Sequence, residues 1–142
     1  MSITLRQKLV QLALEWQREY GVAPHITSAI SEYDAAKIVG MSDEQYSNYM
    51  QDKTAVSKGY DFICEGVRYQ IKAHRPSGKR GSIITNAGKV RNYEWDRLIW
   101  IRYDSEYEIQ EAWSWDCDKY TIEFDSVNRI SPEDMRKGCR VA

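Results

Sequence analysis

The fold of this chain is decided by the stretch Gly59-Tyr60-Asp61-Phe62-Ile63-Cys64-Glu65-Gly66-Val67-Arg68-Tyr69-Gln70-Ile71-Lys72. The pattern predicts two short strands joined by a tight Glu-Gly turn. Asp61 opens the first strand, and Gln70 and Lys72 lie two residues apart on the second. We therefore expect these three polar side chains to lie near one end of a sheet.

Strand alternation divides the second strand into a polar row and an apolar row, since successive side chains point to opposite faces. The apolar row faces the core. A carboxylate, an amide oxygen and a lysine at the end of a sheet can hold a hard divalent cation beside a water, which is what phosphodiester cleavage requires. The polar row is Arg68, Gln70, Lys72 and His74, and the apolar row is Tyr69, Ile71 and Ala73.

This arrangement resembles the core motif of the PD-(D/E)XK nucleases, the restriction-endonuclease-like superfamily. The motif residues are Asp61, Gln70 and Lys72, and Glu32 fits the acidic residue that the family carries on a preceding helix. Tyr60 replaces the usual Pro, and Gln70 replaces the usual acid, a form similar to the Mrr-like branch. The resemblance spans roughly residues 28–115. It implies an α+β fold with a mixed four- to five-stranded sheet flanked by helices.

The resemblance also implies a site and an activity. The expected catalytic residues are Glu32, Asp61, Gln70 and Lys72. Mg²⁺, with Mn²⁺ as a substitute, would be held by Asp61, the Gln70 oxygen and the backbone carbonyl of Ile71, with Glu32 reaching it through water or binding a second ion. Lys72 would orient the attacking water or stabilise charge on the phosphate. The implied activity is endonucleolytic hydrolysis of DNA. A homodimer is plausible because cutting both strands needs two sites.

Composition limits the class of protein. The chain has 142 residues, of which 42% are apolar and 29% charged, as in ordinary globular proteins. We expect one domain over residues 1–142. No apolar run approaches the ~18 residues of a membrane span, and the amino terminus lacks a signal-peptide pattern, so a cytoplasmic protein without membrane contact is expected.

Cysteine and histidine usage argues against zinc and disulfides. Cys64, Cys117 and Cys139 are odd in number and far apart, and we expect buried free thiols. His25 and His74 do not have the spacing of zinc ligands.

Charge is unevenly distributed although the formal net charge is −1. Residues 68–91 contain seven Lys and Arg but no Asp or Glu, whereas acids dominate residues 104–125. A basic segment on one side of a neutral protein suits phosphate contact, although a solvated loop has the same composition. The expected nucleic-acid contacts are Arg75, Lys79, Arg80, Lys89 and Arg91.

Two helices precede the hairpin. Leu5, Leu9, Leu12, Ala13 and Trp16 recur at helical spacing over residues 4–20 and predict a stripe that packs on the core. A second helix is expected from an N-cap at residue 27 or 28 to Gly40.

Glu32 should lie on the buried face of that second helix. It shares an arc with Ala29, Tyr33, Ala36 and Val39, whereas Ser31, Asp34 and Lys37 fall elsewhere. A carboxylate in such a place needs compensation, either by a metal ion or by a nearby Lys or Arg.

The remaining elements follow from local patterns. We expect a short helix over Asp43 to Met50 with a loop to residue 58, a basic turn-rich connection over residues 75–82, and a helical turn within Asn86 to Trp95. Two strands follow, a central one at Leu98 to Ile101 and an antiparallel neighbour at Tyr107 to Trp115. A closing helix begins after Ser131.

Two other functions remain open. Residues 34–50 resemble a helix-turn-helix, which would make the chain a DNA-binding regulator, although Asp43 and Glu44 open the would-be recognition helix with the wrong charge. A nuclease fold that binds DNA without cleaving it belongs to the same non-enzymatic class. The tyrosines and tryptophans could instead form a protein-interaction surface, although core packing explains most of them.

Overall fold

A computed structural model describes residues 2–53 and 59–142. The end of the loop expected before the hairpin, residues 54–58, lies outside the described residues. In chain order, the elements are α1 (Leu5–Tyr20), α2 (Thr27–Ile38), α3 (Asp43–Asp52), β1 (Phe62–Cys64), β2 (Val67–His74), β3 (Arg97–Tyr103), β4 (Ile109–Asp116), α4 (Cys117–Phe124), α5 (Pro132–Met135) and β5 (Cys139–Arg140).

The hairpin forms as predicted. Glu65 and Gly66 both have positive φ, 50° and 79°, which a two-residue turn between twisted antiparallel strands requires. β1 pairs with β2 from Phe62 opposite Tyr69 to Cys64 opposite Val67. The predicted apolar row also holds, since Ile71 is buried and Tyr69 and Ala73 pack on the same cluster.

The sheet is mixed and has five strands in the order β1-β2-β3-β4-β5. β2 and β3 are parallel, and the other neighbours are antiparallel. The fold class expected from the sequence, α+β with a mixed sheet flanked by helices, is therefore confirmed. The predicted strands at residues 98–101 and 107–115 correspond to β3 and β4, and the short helices at residues 43 and 132 correspond to α3 and α5.

The central strand β3 separates two hydrophobic clusters because its alternate residues face opposite sides. Ile99 and Ile101 belong to the first cluster, which α1 and α2 cover. Leu98 and Trp100 belong to the second cluster, which α4 and α5 cover with Tyr120, Phe124 and Met135. Burial on both faces explains the uninterrupted apolar run in this strand.

The buried face of α1 differs from the expectation. Leu5, Leu9, Leu12 and Trp16 are exposed, and of the predicted stripe Ala13 is buried. The orientation is set by Arg6, whose guanidinium donates to the Asp34 carboxylate at 2.6 and 2.8 Å and to the Tyr107 carbonyl at 2.7 Å. These bonds turn the Arg6 side of the helix inward, and the leucine stripe consequently faces outward.

The ion pair between Arg6 and Asp34 also explains why the buried face of α2 differs from the expectation. Ser31 and Asp34 are buried, whereas Ala29 is exposed. Asp34 is compensated by Arg6 and by the Tyr103 hydroxyl, which donates to it at 2.6 Å. The N-cap is Ile26 rather than residue 27 or 28. Glu32 is half-buried, at the border of the packed face.

Two local expectations were wrong, and one helix was not predicted. Residues 86–95 are irregular rather than helical, because the amides of Ala87 and Val90 bond to the Ile130 carbonyl and the Tyr120 hydroxyl instead of to their own turn. All three cysteines are free thiols as expected, but they are not buried: Cys64 and Cys117 are partly exposed and Cys139 is exposed. The sequence reading also missed α4, which follows β4 without a loop and buries Tyr120 and Phe124 four residues apart.

In the part of the chain that the structure describes, no helix has the combination of length and apolar character that crossing a membrane requires.

We expect Asp34→Ala to lower the free energy of unfolding by about 3 kcal/mol, because it leaves the partly buried Arg6 guanidinium and the buried Tyr103 hydroxyl without this acceptor. Guanidinium denaturation measures this change. Lys119→Ala, which removes an exposed lysine 4.0 Å from Asp116, should leave the unfolding midpoint close to that of the wild type. A loss below about 1 kcal/mol for Asp34→Ala would contradict the structural role of this ion pair.

We expect the contribution of Glu111 to the free energy of unfolding to be lost in acid. Hydrogen bonds from Arg136, Arg102 and Trp113 lower the pKa of its carboxyl from 4.5 to about 2. Because the folded pKa is depressed, the stabilisation is complete above pH 4.5 and disappears as the pH falls toward 2. The stability difference between wild type and Glu111→Gln should therefore shrink over this interval in denaturation curves. The control is Glu106→Gln, at an exposed residue, whose free energy of unfolding at pH 7 should lie close to that of the wild type.

Candidate active site

The site forms where β2 extends beyond the end of β1. Strand pairing between them stops at Tyr69, so residues 70–74 continue along an edge that β1 does not cover. α2 packs against this part of the sheet and closes one side of a cavity of about 330 Å³. Its lining residues are Thr27, Ser28, Ser31, Glu32, Asp61, Gln70, Ile71, Lys72, Ala73 and His74.

Asp61 is fixed by its backbone and by its side chain. Its amide donates to the Tyr69 carbonyl at 2.7 Å, and its carbonyl accepts from Lys53 Nζ at 2.9 Å. Its carboxylate oxygen Oδ2 accepts the Ile71 amide at 2.7 Å. This amide is the first on β2 that β1 no longer reaches, and the carboxylate takes the place of the missing strand carbonyl. These three bonds hold Asp61 in the wall of the cavity.

The backbone carbonyl of Ile71 faces the same edge. The N–H and C=O of one residue in a strand point to the same side, which is why an antiparallel pair can exchange both bonds. Since the Ile71 amide points to Asp61, its carbonyl oxygen also points to the uncovered edge beside the cavity. The direction of the Ile71 carbonyl is compatible with its expected role as a metal ligand.

Glu32 enters from α2, on the opposite side of the cavity from the strand. The pKa of its carboxyl is raised from 4.5 to about 7, first by burial, then by a hydrogen bond with Asp61 and by the negative charge of Asp61. The Lys53 ammonium opposes this shift in part. Two carboxyl groups are thus crowded together with too little positive charge to compensate both.

Gln70, Lys72 and His74 reach the cavity from the strand as alternate residues of β2. All three are partly buried. The His74 ring bonds through Nε2 to the Ala87 carbonyl at 2.6 Å, which joins the end of β2 to the segment around residue 87. Burial lowers the pKa of His74 and the nearby Lys72 ammonium lowers it further, whereas the hydrogen bond to the Ala87 carbonyl opposes the shift. The lowered pKa favours the neutral imidazole.

The donor set fits a hard divalent cation. No group of three or more His, Cys, Asp and Glu side chains suited to metal binding occurs within residues 2–53 and 59–142. The ligands would be the Glu32 and Asp61 carboxylates, the Gln70 amide oxygen, the Ile71 carbonyl and water. All are oxygen ligands, and Mg²⁺ prefers oxygen and retains several waters. A cation here would relieve the crowding of the two carboxyl groups.

All four residues expected to be catalytic line this one cavity, together with Ile71. The expected nucleic-acid contacts are more dispersed. Lys79, Arg80 and Arg91 are exposed, and Lys89 donates to the Asp125 carbonyl at 2.6 Å.

Arg75, in contrast, is engaged within the fold. Its guanidinium donates to the Ser105 carbonyl and to Gln17 Oε1 and lies 4.3 Å from the centre of the Tyr107 ring. It ties the end of β2 to α1 and to the turn before β4.

Five further residues line the cavity that were not expected there from the sequence: Thr27, Ser28, Ser31, Ala73 and His74. The alternation along β2 places His74 beside Gln70 and Lys72, whereas Ala73 belongs to the apolar row. Thr27, Ser28 and Ser31 reach the cavity because of how α2 is placed on the sheet.

Comparison with protein-family models gave no match, and the search of curated proteins also gave none.

We expect Gln70→Glu to tighten Mg²⁺ and Mn²⁺ binding, measured by isothermal titration calorimetry, by about tenfold or more, because it adds a negative charge next to Asp61. Asp61→Asn should weaken binding by at least a similar factor. The control is Asp118→Asn, which removes an exposed carboxylate outside this cavity and should leave the affinity unchanged. Equal affinities for wild type and both cavity variants would show that no ion binds here.

Proposed function

We propose that the chain is a metal-dependent endonuclease of the PD-(D/E)XK type, in its Gln-x-Lys form, that hydrolyses phosphodiester bonds in DNA. The observation that carries the proposal is the convergence of Glu32, Asp61, Gln70 and Lys72 on one cavity from three separate segments of the chain. A solvent-facing glutamine and lysine unrelated to the acids would not be expected to share a wall with both carboxyl groups.

The proposed roles follow from position. The Asp61 carboxylate and the Gln70 side-chain oxygen would hold the metal ion, and the Ile71 carbonyl lies on the same strand edge. Glu32, on α2, supplies a second negative charge to the site. The bound Mg²⁺ would lower the pKa of a water and neutralise charge on the phosphate. Lys72, two residues from Gln70 on the same strand face, orients the attacking water and stabilises negative charge on the phosphate oxygens.

The position of the basic segment supports a nucleic-acid substrate. Residues 75–91 begin where β2 ends, and the bond from His74 to Ala87 brings their far end back beside the cavity. Gly88 lies against the His74 ring. Lys79, Arg80 and Arg91 expose positive charge in this segment, which contains no Asp or Glu. A phosphate backbone that follows these cations would pass the cavity.

The decisive experiment is cleavage of supercoiled plasmid with Mg²⁺ or Mn²⁺, compared with EDTA. Asp61→Ala and Lys72→Ala should each lower the cleavage rate by about 10²–10³-fold, the range found when one group that stabilises transition-state charge is removed. Because Gln70 supplies no charge, Glu32→Ala should be almost as damaging as Asp61→Ala.

Lys119→Ala is the matched control, since it removes a lysine far from the cavity, and its rate should equal that of the wild type. DNA binding by each variant, measured by fluorescence anisotropy, separates lost chemistry from lost affinity. Wild-type activity in Glu32→Ala would remove this residue from the site. A wild-type protein that binds DNA but cleaves none with any divalent metal would favour the non-enzymatic alternative and overturn the proposal.

A further inference from the structure

The outer face of α1 exposes a continuous row of large apolar side chains. Relative exposures are 81% for Leu5, 37% for Leu9, 63% for Leu12, 54% for Trp16 and 64% for Tyr20. We call these five residues the α1 stripe. Burying such side chains is worth roughly 1.5–3 kcal/mol each, so leaving all of them in water is costly.

The stripe is a local concentration rather than a general property of the surface. Eleven large apolar side chains are exposed in the described part of the chain, and seven lie within residues 3–22. The others, such as Ile83 and Ile122, are scattered singly, which is normal for a globular protein. A concentration on one helix marks a contact surface.

The spacing of the stripe suits a second helix. Its members follow one another at intervals of four, three, four and four residues, which is the pattern of a narrow coiled-coil seam. α1 has 16 residues and is therefore about 24 Å long, enough for several layers of contact. One flank of the stripe is occupied by the protein's own core through Val10 and Ala13. The other flank carries Lys8, Glu15 and Glu19, all of which are exposed.

We propose that this face binds the α1 helix of a second copy of the chain, antiparallel, in a two-fold symmetric dimer. In such an interface each contact occurs twice, since residue i meets residue j and j meets i. An antiparallel register centred between Leu9 and Leu12 sets Leu5 against the partner's Trp16 and Leu9 against the partner's Leu12. Every member of these layers is a large apolar residue.

The charges of the open flank select this orientation. Lys8 and Glu15 are seven residues apart and therefore lie on the same side of the helix. In the antiparallel pair Lys8 lies near the partner's Glu15, and Glu15 near the partner's Lys8, so two ion pairs form. In a parallel two-fold pair the two open flanks lie on opposite sides of the seam. Lys8 and Glu15 then face the partner's core flank, which holds Val10 and Ala13, and neither ion pair forms.

The same charges disfavour a lipid surface as the occupant. Helices that lie on membranes combine an apolar face with flanks rich in Lys and Arg, which bind anionic lipids. Here the open flank carries two glutamates and one lysine. The dimer is independent of the proposed nuclease activity, because the stripe contributes no residue to the cavity.

The test is sedimentation-equilibrium analysis of the full chain over a range of concentrations. The wild type should have about twice the 16.6 kDa mass of one chain. Leu12→Glu should give a monomer with an unchanged far-ultraviolet circular dichroism spectrum, since Leu12 is exposed and outside the core. Ile122→Glu, at an isoleucine that is 85% exposed on α4, is the matched control and should remain dimeric.

The orientation is tested by charge exchange. Lys8→Glu should raise the dimer dissociation constant by about tenfold or more, and adding Glu15→Lys to it should restore the wild-type value. A monomeric wild type at all concentrations, or a dimer that Leu12→Glu does not dissociate, would overturn the proposal. Failure of the double exchange to restore dimerisation would overturn the antiparallel register.

Discussion

The structure of the candidate site depends on one hydrogen bond, from the Ile71 amide to the Asp61 carboxylate. The pairing of β1 with β2 stops three pairs from the turn, and β2 continues paired only with β3 on its other side, so its next amide on the β1 side needs an acceptor. An aspartate just before β1 supplies one within reach. The bond terminates the pairing, fixes the carboxylate and leaves the neighbouring strand edge uncovered. The cavity, the orientation of the Ile71 carbonyl and the approach of Glu32 all require this early end of β1.

A second constraint acts over a longer distance. The buried ion pair between Arg6 and Asp34, with the Tyr103 hydroxyl as a further donor, sets the rotation of both first helices about their axes. On α2 it turns Asp34 into the core, which places Glu32 two residues earlier at the border and toward Asp61. On α1 it turns the Arg6 side inward and the leucines outward. A single polar interaction thus positions one residue of the site and also creates the exposed apolar stripe.

The difference between the buried centre and the exposed edge of the sheet explains why the candidate site lies at the edge. β3 is buried on both faces: its Ile99 and Ile101 pack in the first cluster, and its Leu98 and Trp100 pack with the aromatic residues of α4 in the second. A polar group in such a strand is costly unless it is hydrogen-bonded. Beyond the end of β1, the edge of β2 has backbone groups without strand partners and access to solvent. Polar side chains from both faces of the sheet can meet there around a cation, while the packed interior behind them holds the strand rigid.

The sequence by itself determined the elements whose causes are local. These local causes are the Glu65-Gly66 turn, the alternation along β2, the apolar run of β3 and the capping boxes of α1, α3 and α5. Each of them acts within a few residues. The motif residues of the cavity could be named from the turn and the alternation along β2. Tertiary structure decided the rest. Which face of α1 is buried depends on a partner 28 residues away, the course of residues 86–95 depends on acceptors in and beyond α4, and Arg75 is occupied by a carbonyl before β4. Amphipathic spacing determines that a helix has an apolar face. The direction in which that face points on α1 is determined by the ion pair between Arg6 and Asp34, because a buried carboxylate is stable only beside a positive charge.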